Sequence, residues 1–199
     1  MRAEWLRRKG AGELIVVLTG WAVGHEPLRH LAGAADVLVL SDYRDMTAPD
    51  WPRGYAAVDL VAWSFGVAAA CRLDLRRFRR KVAVCGSWAP CDDDLGIPPD
   101  LVRATAENLS PASLRQFARR ADCPVAPGAD LAALRAELLA VLGWGVGQAP
   151  DFDRIRLGAA DRIFAAANLR RAWRGRPVEM LDCGHNPFAQ WRDWAEVLA

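Results

Sequence analysis

The stretch Val58-Asp-Leu-Val-Ala-Trp-Ser-Phe-Gly66 is apolar for most of its length. It stops at a serine between small residues and passes at once into a helical stretch, Phe65 to Leu75. A strand that turns this sharply into a helix pushes the corner residue out of the sheet, and crowding there demands small side chains about two positions before and after it. Ala62 and Gly66 meet that demand, giving A-x-S-x-G in place of the commoner G-x-S-x-G. Ser64 is therefore a candidate nucleophile on an elbow, and an elbow needs a sheet to carry it.

Short apolar runs rich in β-branched residues recur at Glu13 to Thr19, Asp36 to Leu40, Val58 to Trp63, Lys81 to Cys85, Arg154 to Leu157 and Val178 to Leu181. Runs of this kind predict six strands buried on both faces. Helical stretches at Glu26 to Leu31, Phe65 to Leu75, Ile163 to Trp173 and Phe188 to Leu198 alternate with them, which predicts an α/β fold, a mostly parallel sheet flanked by helices. One segment breaks the alternation. From Pro90 to about Pro150 there is no convincing strand, but helices are expected at Pro99 to Asn108, Ser110 to Ala121 and Asp130 to Leu142. Ser110-Pro111 is an N-cap with proline at the first helical position, Asp130 is a second N-cap, and Gly143 supplies a stop. Some sixty residues are long for a crossover, so residues 90–150 are expected to form a small helical cap at the carboxyl edge of the sheet, where such folds bind ligands. At 199 residues, a single domain spanning 1–199 is expected.

Composition excludes several classes. With 52% hydrophobic and 25% charged residues the chain is neither disordered nor collagen-like. No run approaches the roughly 18 consecutive apolar residues of a membrane span. Met1 to Gly10 carries basic residues without the apolar region of a secretory signal, so a cytoplasmic protein is expected, with neither membrane nor nucleic acid as partner. Five cysteines, Cys71, Cys85, Cys91, Cys123 and Cys183, are odd in number, lack C-x-x-C spacing and read as reduced core thiols. Cys183 and His185 alone cannot complete a zinc shell, so no metal and no cofactor are expected. Net charge is only +2, yet 24 of the 26 basic residues are arginine and several cluster. Such blocks are ordinarily a solvated helix face, but they leave room for an acidic partner.

A serine nucleophile needs a base, and the base needs an orienting acid. His25 and His30 lie in and after the loop that follows the first of these strands. His185 sits in Asp-Cys-Gly-His-Asn-Pro-Phe, between the final strand and the C-terminal helix, where the base belongs in a chain ordered Ser, Asp, His. Asp161 follows the strand at Arg154 to Leu157 and stands where a helix begins. A helix-capping aspartate is the competing explanation for it. Asp92, Asp93 and Asp94 compete for the role of acid, and Asp161 is favoured by its place in the chain. The oxyanion of an acyl transfer requires two preorganised N–H donors. Phe65, after the serine, offers one, and Trp21, after Gly20 at the end of the first strand, offers the other.

With these residues placed, the chain resembles the α/β-hydrolase superfamily. Within it the chain resembles the BioG-type pimeloyl-acyl-carrier-protein methyl ester esterases of biotin synthesis. The resemblance rests on Gly20-Trp21, Asp42-Tyr43-Arg44, Trp63-Ser64-Phe65-Gly66-Val67, Asp161-Arg162-Ile163-Phe164, and Gly184-His185 before Pro187-Phe188. It implies hydrolysis of a pimeloyl methyl ester carried on acyl carrier protein, with Ser64 as nucleophile, His185 as base and Asp161 as acid. Ala62 departs from the glycine common in relatives. An acidic carrier protein also gives the cap arginines a use, with Arg103, Arg115, Arg119, Arg120 and Arg135 as contacts around a pocket mouth. Two other readings stay open: a short-chain carboxylesterase or thioesterase acting on a free small molecule, and a non-catalytic binding protein that keeps the fold.

Overall fold

Residues 1–199 are described by a computed structural model. Its strands are β1 (Arg2–Arg7), β2 (Glu13–Leu18), β3 (Asp36–Ser41), β4 (Ala57–Trp63), β5 (Lys81–Val84), β6 (Arg154–Gly158) and β7 (Glu179–Leu181). They form one sheet in the order β1-β3-β2-β4-β5-β6-β7, parallel throughout except for β1, which runs antiparallel to β3. The six expected strands are present, but β7 lies on the outer edge of the sheet and is largely exposed, not buried on both faces, and β1 is a seventh strand that the apolar runs do not announce. It lies on the sheet's edge, half exposed, and carries Arg2, Glu4 and Arg7 among its six residues. Charge on an edge blunts unwanted pairing, and it also hides the strand from a search for apolar runs.

Alternation along each strand supplies two cores. Leu14, Val16 and Leu18 of β2 face one side with Leu60 and Ala62 of β4, while Ile15 and Val17 face the other with Val61 and Trp63. Each fully buried Val, Leu or Ile side chain among these contributes about 1.5–3 kcal/mol. Helices cover the faces: α1 (Phe65–Ala70), α2 (Pro99–Glu107), α3 (Pro111–Ala121), α4 (Leu131–Leu142), α5 (Ala166–Ala172) and α6 (Trp194–Leu198). Val102, Ala106, Leu114, Leu134, Leu138 and Val141 of α2 to α4 belong to the same apolar cluster as the first face of the sheet. No helix is long and apolar enough to cross a membrane.

Several helices are shorter than their sequence patterns. The one expected at Glu26 to Leu31 is a single 3₁₀ turn, Glu26–Leu28. α1 stops at Ala70 because Asp74 caps a separate 3₁₀ turn, accepting from the Arg76 N–H at 3.1 Å. α5 begins at Ala166, three residues late, and the stretch Phe188 to Leu198 divides into a 3₁₀ turn and α6. At that division Asp193 accepts from the Glu196 N–H at 2.9 Å and starts α6 afresh. In α3, Ser110 and Ser113 form a reciprocal capping box, and Asp130 caps α4 through the Ala132 N–H.

Glu137 fastens α4 to the loop after β3. It is 4% exposed and its Oε1 accepts from the Tyr43 N–H at 3.1 Å. Burial pushes its carboxyl up to about 7, against the opposing pull of the Tyr43 N–H. A carboxyl raised above its unfolded value binds a proton more readily in the folded state, so this stabilisation is complete below about pH 4.5 and is lost as pH rises through about 7. Glu137→Gln keeps an acceptor for Tyr43 without the charge. Its melting temperature is expected to exceed that of the wild type at pH 8 and to match it near pH 4.5. An equal shift at both values would mean that Glu137 is not protonated by burial.

Candidate active site

The chain leaves β2 for one side of the sheet and β4 for the other, so the carboxyl ends of these neighbouring strands open a crevice between them. Gly20-Trp21 follows β2 and Ser64 follows β4. Ser64 has φ +60° and ψ −126° and heads α1. A β-carbon at Gly66 would overlap the Leu18 carbonyl, so only glycine lets α1 pack this closely on β2. At Gly20 a β-carbon would stand 2.9 Å from Ser64 Cβ and 3.2 Å from its Oγ, which puts the loop after β2 directly against the serine.

Ser64 Oγ lies 3.0 Å from His185 Nε2, and His185 Nδ1 lies 2.8 Å from Asp161 Oδ2. The carboxylate assigns the tautomer: Nδ1–H donates to Asp161, which leaves Nε2 to accept from the serine hydroxyl. Asp161 Oδ1 accepts from the Ile163 and Phe164 N–H groups at 2.8 and 3.0 Å, so the same residue caps its turn and holds the imidazole. Its side chain is fully buried and that of His185 is 2% exposed. The histidine's ring lies between Phe164 and Trp63, with centroids 5.9 and 5.7 Å away, and the Trp63 indole donates to the His185 carbonyl at 3.0 Å. Ser64, His185 and Asp161 are thus brought together from three loops.

The other candidates lie elsewhere. His25 faces Glu4, Glu26 and Arg29, while His30 reaches the carbonyls of Phe188 and Trp191. Asp92 caps its own turn through the Asp94 and Leu95 N–H groups, Asp94 faces Arg171, and Asp93 offers its carbonyl to Asn168. Burial, reinforced by the Asp161 carboxylate, pushes the Cys85 and Cys183 thiols up, so neither is ready as a competing thiolate. No group of three or more His, Cys, Asp or Glu is arranged to hold a metal ion.

A cleft of about 70 Å³ opens on Ser64. Trp21, Phe65 and Ile163 line it from the sheet side, and Leu101, Val102, Thr105, Phe117 and Leu138 from α2, α3 and α4. Trp21 is 4% exposed; its indole donates to the Leu134 carbonyl at 2.9 Å and meets Phe117 edge-on at 4.7 Å. Its side chain therefore packs as core and forms a cleft wall at once. A larger, polar cleft of about 280 Å³ lies beyond Gly20, lined in part by Arg2, Asp42, Arg44 and Glu137; its lining includes one serine, Ser41, but no histidine to activate it.

Of the five cap arginines, Arg120 borders the cleft together with Arg162, and Arg115 borders a separate groove with Leu114 and Leu131. Arg103 and Arg119 are exposed on α2 and α3. Arg135 is also exposed, but its guanidinium donates to the Ala106 carbonyl at 2.9 Å and so binds α4 to α2. Trp21 and Phe65 of the cleft wall stand out in the sequence, whereas Leu101, Val102, Thr105, Phe117 and Leu138 do not, and Arg162 does so only within the motif that follows Asp161. Leu101, Val102 and Thr105 share one side of α2, a spacing of helical type that was there to be found.

The model of the family described as pimeloyl-ACP methyl esterase BioG matches residues 1–197. A solved structure of BioG from Haemophilus influenzae is similar over 100% of both chains, at 26% identity and a TM-score of 0.89. An uncharacterized protein of Haemophilus influenzae is 30% identical over 201 residues, covering 92% of this chain and 93% of its own. Malonyl-[acyl-carrier protein] O-methyltransferase of Bacteroides fragilis is 29% identical over 179 residues, which are 81% of this chain but only 36% of that protein. An esterase from Exiguobacterium antarcticum, 16% identical with a TM-score of 0.69 over 94% of this chain and 89% of its own, shares the α/β-hydrolase fold.

Proposed function

Because the chain belongs to the BioG family of pimeloyl-ACP methyl esterases, we propose that it is a serine esterase that removes the methyl group from a pimeloyl methyl ester carried on acyl carrier protein. The observation that carries this reading is the line from Asp161 through His185 to Ser64, with spacings of 2.8 and 3.0 Å, beside an apolar cleft. Ser64 Oγ attacks the ester carbonyl as its proton passes to His185 Nε2. The N–H groups of Phe65 and Trp21 receive the negative oxygen. Collapse expels the methoxy group, which takes the proton from His185 and leaves as methanol. Water then attacks the acyl-enzyme, giving one proton to His185, which returns it to Ser64 as the free acid departs and releases its remaining proton to solvent. Asp161 stays ionised and holds the imidazolium in place.

We read the chain as a single domain in which residues 90–150 cap the cleft, working in the cytoplasm without metal or cofactor. The carrier reading draws support from how the arginines are used. Arg76, Arg79 and Arg80 pair with Asp74 and Asp59, and Arg171 and Arg176 with Asp94 and Asp151. Arg103, Arg115, Arg119 and Arg120 have no ion pair within the chain. Although residues 90–150 together hold eight acidic residues against five arginines, α3 carries three of these arginines and no acidic residue, which leaves one basic helix free for an acidic partner. A positive rim raises the on-rate of an acidic carrier and is screened by salt. kcat/KM for carrier-bound pimeloyl methyl ester is therefore expected to fall about tenfold or more between low and physiological salt, while that for a small free methyl ester changes less than about twofold. Reversing the charges of Arg115 and Arg119 together should weaken the first activity and spare the second. Equal turnover of both substrates at all salt concentrations would instead identify a general short-chain esterase.

A further inference from the structure

The end of α3 touches both loops that carry the acid and the base. Asp122 closes α3 in the left-handed conformation, at φ +50°. Its Oδ1 accepts from Arg162 Nη2 at 2.8 Å, one residue past Asp161, and the same nitrogen donates to the Arg119 carbonyl at 2.7 Å. The Asp122 carbonyl accepts from Asn186 Nδ2 at 3.0 Å, one residue past His185. Its Oδ2 lies over Gly184, one residue before His185, so close that a β-carbon on the glycine would overlap it. The acid and base loops are joined to each other by the Ala160 N–H, which donates to the Cys183 carbonyl at 2.9 Å. The contacts of Asp122 and Arg119 join that pair to the helix that supplies Phe117 and Arg120 to the cleft.

This arrangement contributes little to the stability of the fold. The Asp122 and Arg162 side chains are 45% and 57% exposed, and an ion pair so exposed is screened by water and adds little to stability. Its effect falls on geometry, because three segments far apart in sequence meet at one carboxylate. We infer that Asp122 is a positioning residue that holds the Asp161 and His185 loops at a fixed distance from α3, and so keeps the imidazole aligned on Ser64. The inference rests on the catalytic reading of Ser64, His185 and Asp161. It differs from the role of the cap arginines in acting on every substrate alike.

Glycine suits a left-handed helix end better than aspartate, so Asp122→Gly should melt at or above the wild-type temperature. Its kcat for a free methyl ester and the rate at which a fluorophosphonate labels Ser64 should nevertheless fall about tenfold or more, with KM little changed, since small misplacements at a reacting centre have effects of that order. Asp122→Asn, which restores an acceptor for Arg162, should recover the rate to within about threefold. Gly184→Ala, which displaces the carboxylate from the other side, should slow labelling as Asp122→Gly does. Should Asp122→Gly fail to fold, Arg162→Gln cuts the same link and must show the same slowing. Wild-type labelling in these variants overturns the inference, as does a loss that tracks melting temperature and is not rescued by asparagine. If His185→Ala labels at the wild-type rate, the catalytic reading itself has failed, whatever Asp122 does.

Discussion

Ser64→Ala is expected to lower kcat on the methyl ester by a factor on the order of 10³ or more while the protein stays folded. Alanine carries the same β-carbon at the elbow's φ of +60°, and the backbone bonds of residue 64, its N–H to the Val84 carbonyl and the Val67 N–H to its own carbonyl, both 3.0 Å, do not involve the hydroxyl. The cleft and the N–H groups of Phe65 and Trp21 remain, which sets the residual rate. No other candidate nucleophile faces His185 Nε2. A folded Ser64→Ala protein with more than a tenth of wild-type kcat would falsify the assignment.

Asp161→Asn is expected to cost nearly as much, about 10³- to 10⁴-fold in kcat. The amide oxygen can still accept from the Ile163 and Phe164 N–H groups, which keeps the turn folded. What then faces His185 Nδ1 is an amide N–H, a donor in place of an acceptor. The imidazole answers by moving its proton to Nε2, the nitrogen that must receive the serine's proton. Geometry is preserved and the tautomer is wrong. Replacement of Asp92, Asp93 or Asp94 should leave the rate within about threefold of wild type, because their polar contacts are with the Asp94 and Leu95 N–H groups, Asn168 and Arg171 and not with His185. The opposite pattern, with activity lost there and kept in Asp161→Asn, would move the acid to the loop after β5.

The elements that carry the site were legible because each is announced locally. An apolar run, a sharp turn and a small residue on either side of Ser64 mark the elbow. The strand at Arg154 to Leu157 and the short one before His185 place Asp161 and the base by chain order alone. Where legibility failed, the deciding partner was distant in sequence. β1 exists because Arg2 to Arg7 can pair with Val37 to Ser41 of β3, distant in sequence, and its charges conceal it. α1 is short because Asp74 captures the chain, although its pattern continues to Leu75. Trp21 could be placed at the pocket, but its second task, holding α4 through the Leu134 carbonyl, depends on a contact 113 residues away. The meeting at Asp122 is of the same kind: nothing near Asp122 in the sequence tells of Arg162 or Asn186. The arginine blocks divided only in three dimensions, where Arg79 and Arg80 turned inward to the buried Asp59 and the cap arginines did not.

The backbone at Ser64 has an evolutionary consequence. A non-glycine residue in that region of φ and ψ costs on the order of 1–3 kcal/mol, out of a total stability of about 5–15 kcal/mol for a domain. Glycine would sit there without steric strain, at a smaller cost in chain entropy, so exchanging the serine for glycine is expected to gain stability while ending the reaction. Selection for turnover must hold the serine against that gradient in every generation. A lineage released from the need for the reaction would drift first at position 64, gaining stability as it lost its chemistry, with sheet, cleft and arginine-bearing cap all intact. Inactive descendants of such a fold are thus expected to be sturdy proteins that still present a complete binding surface.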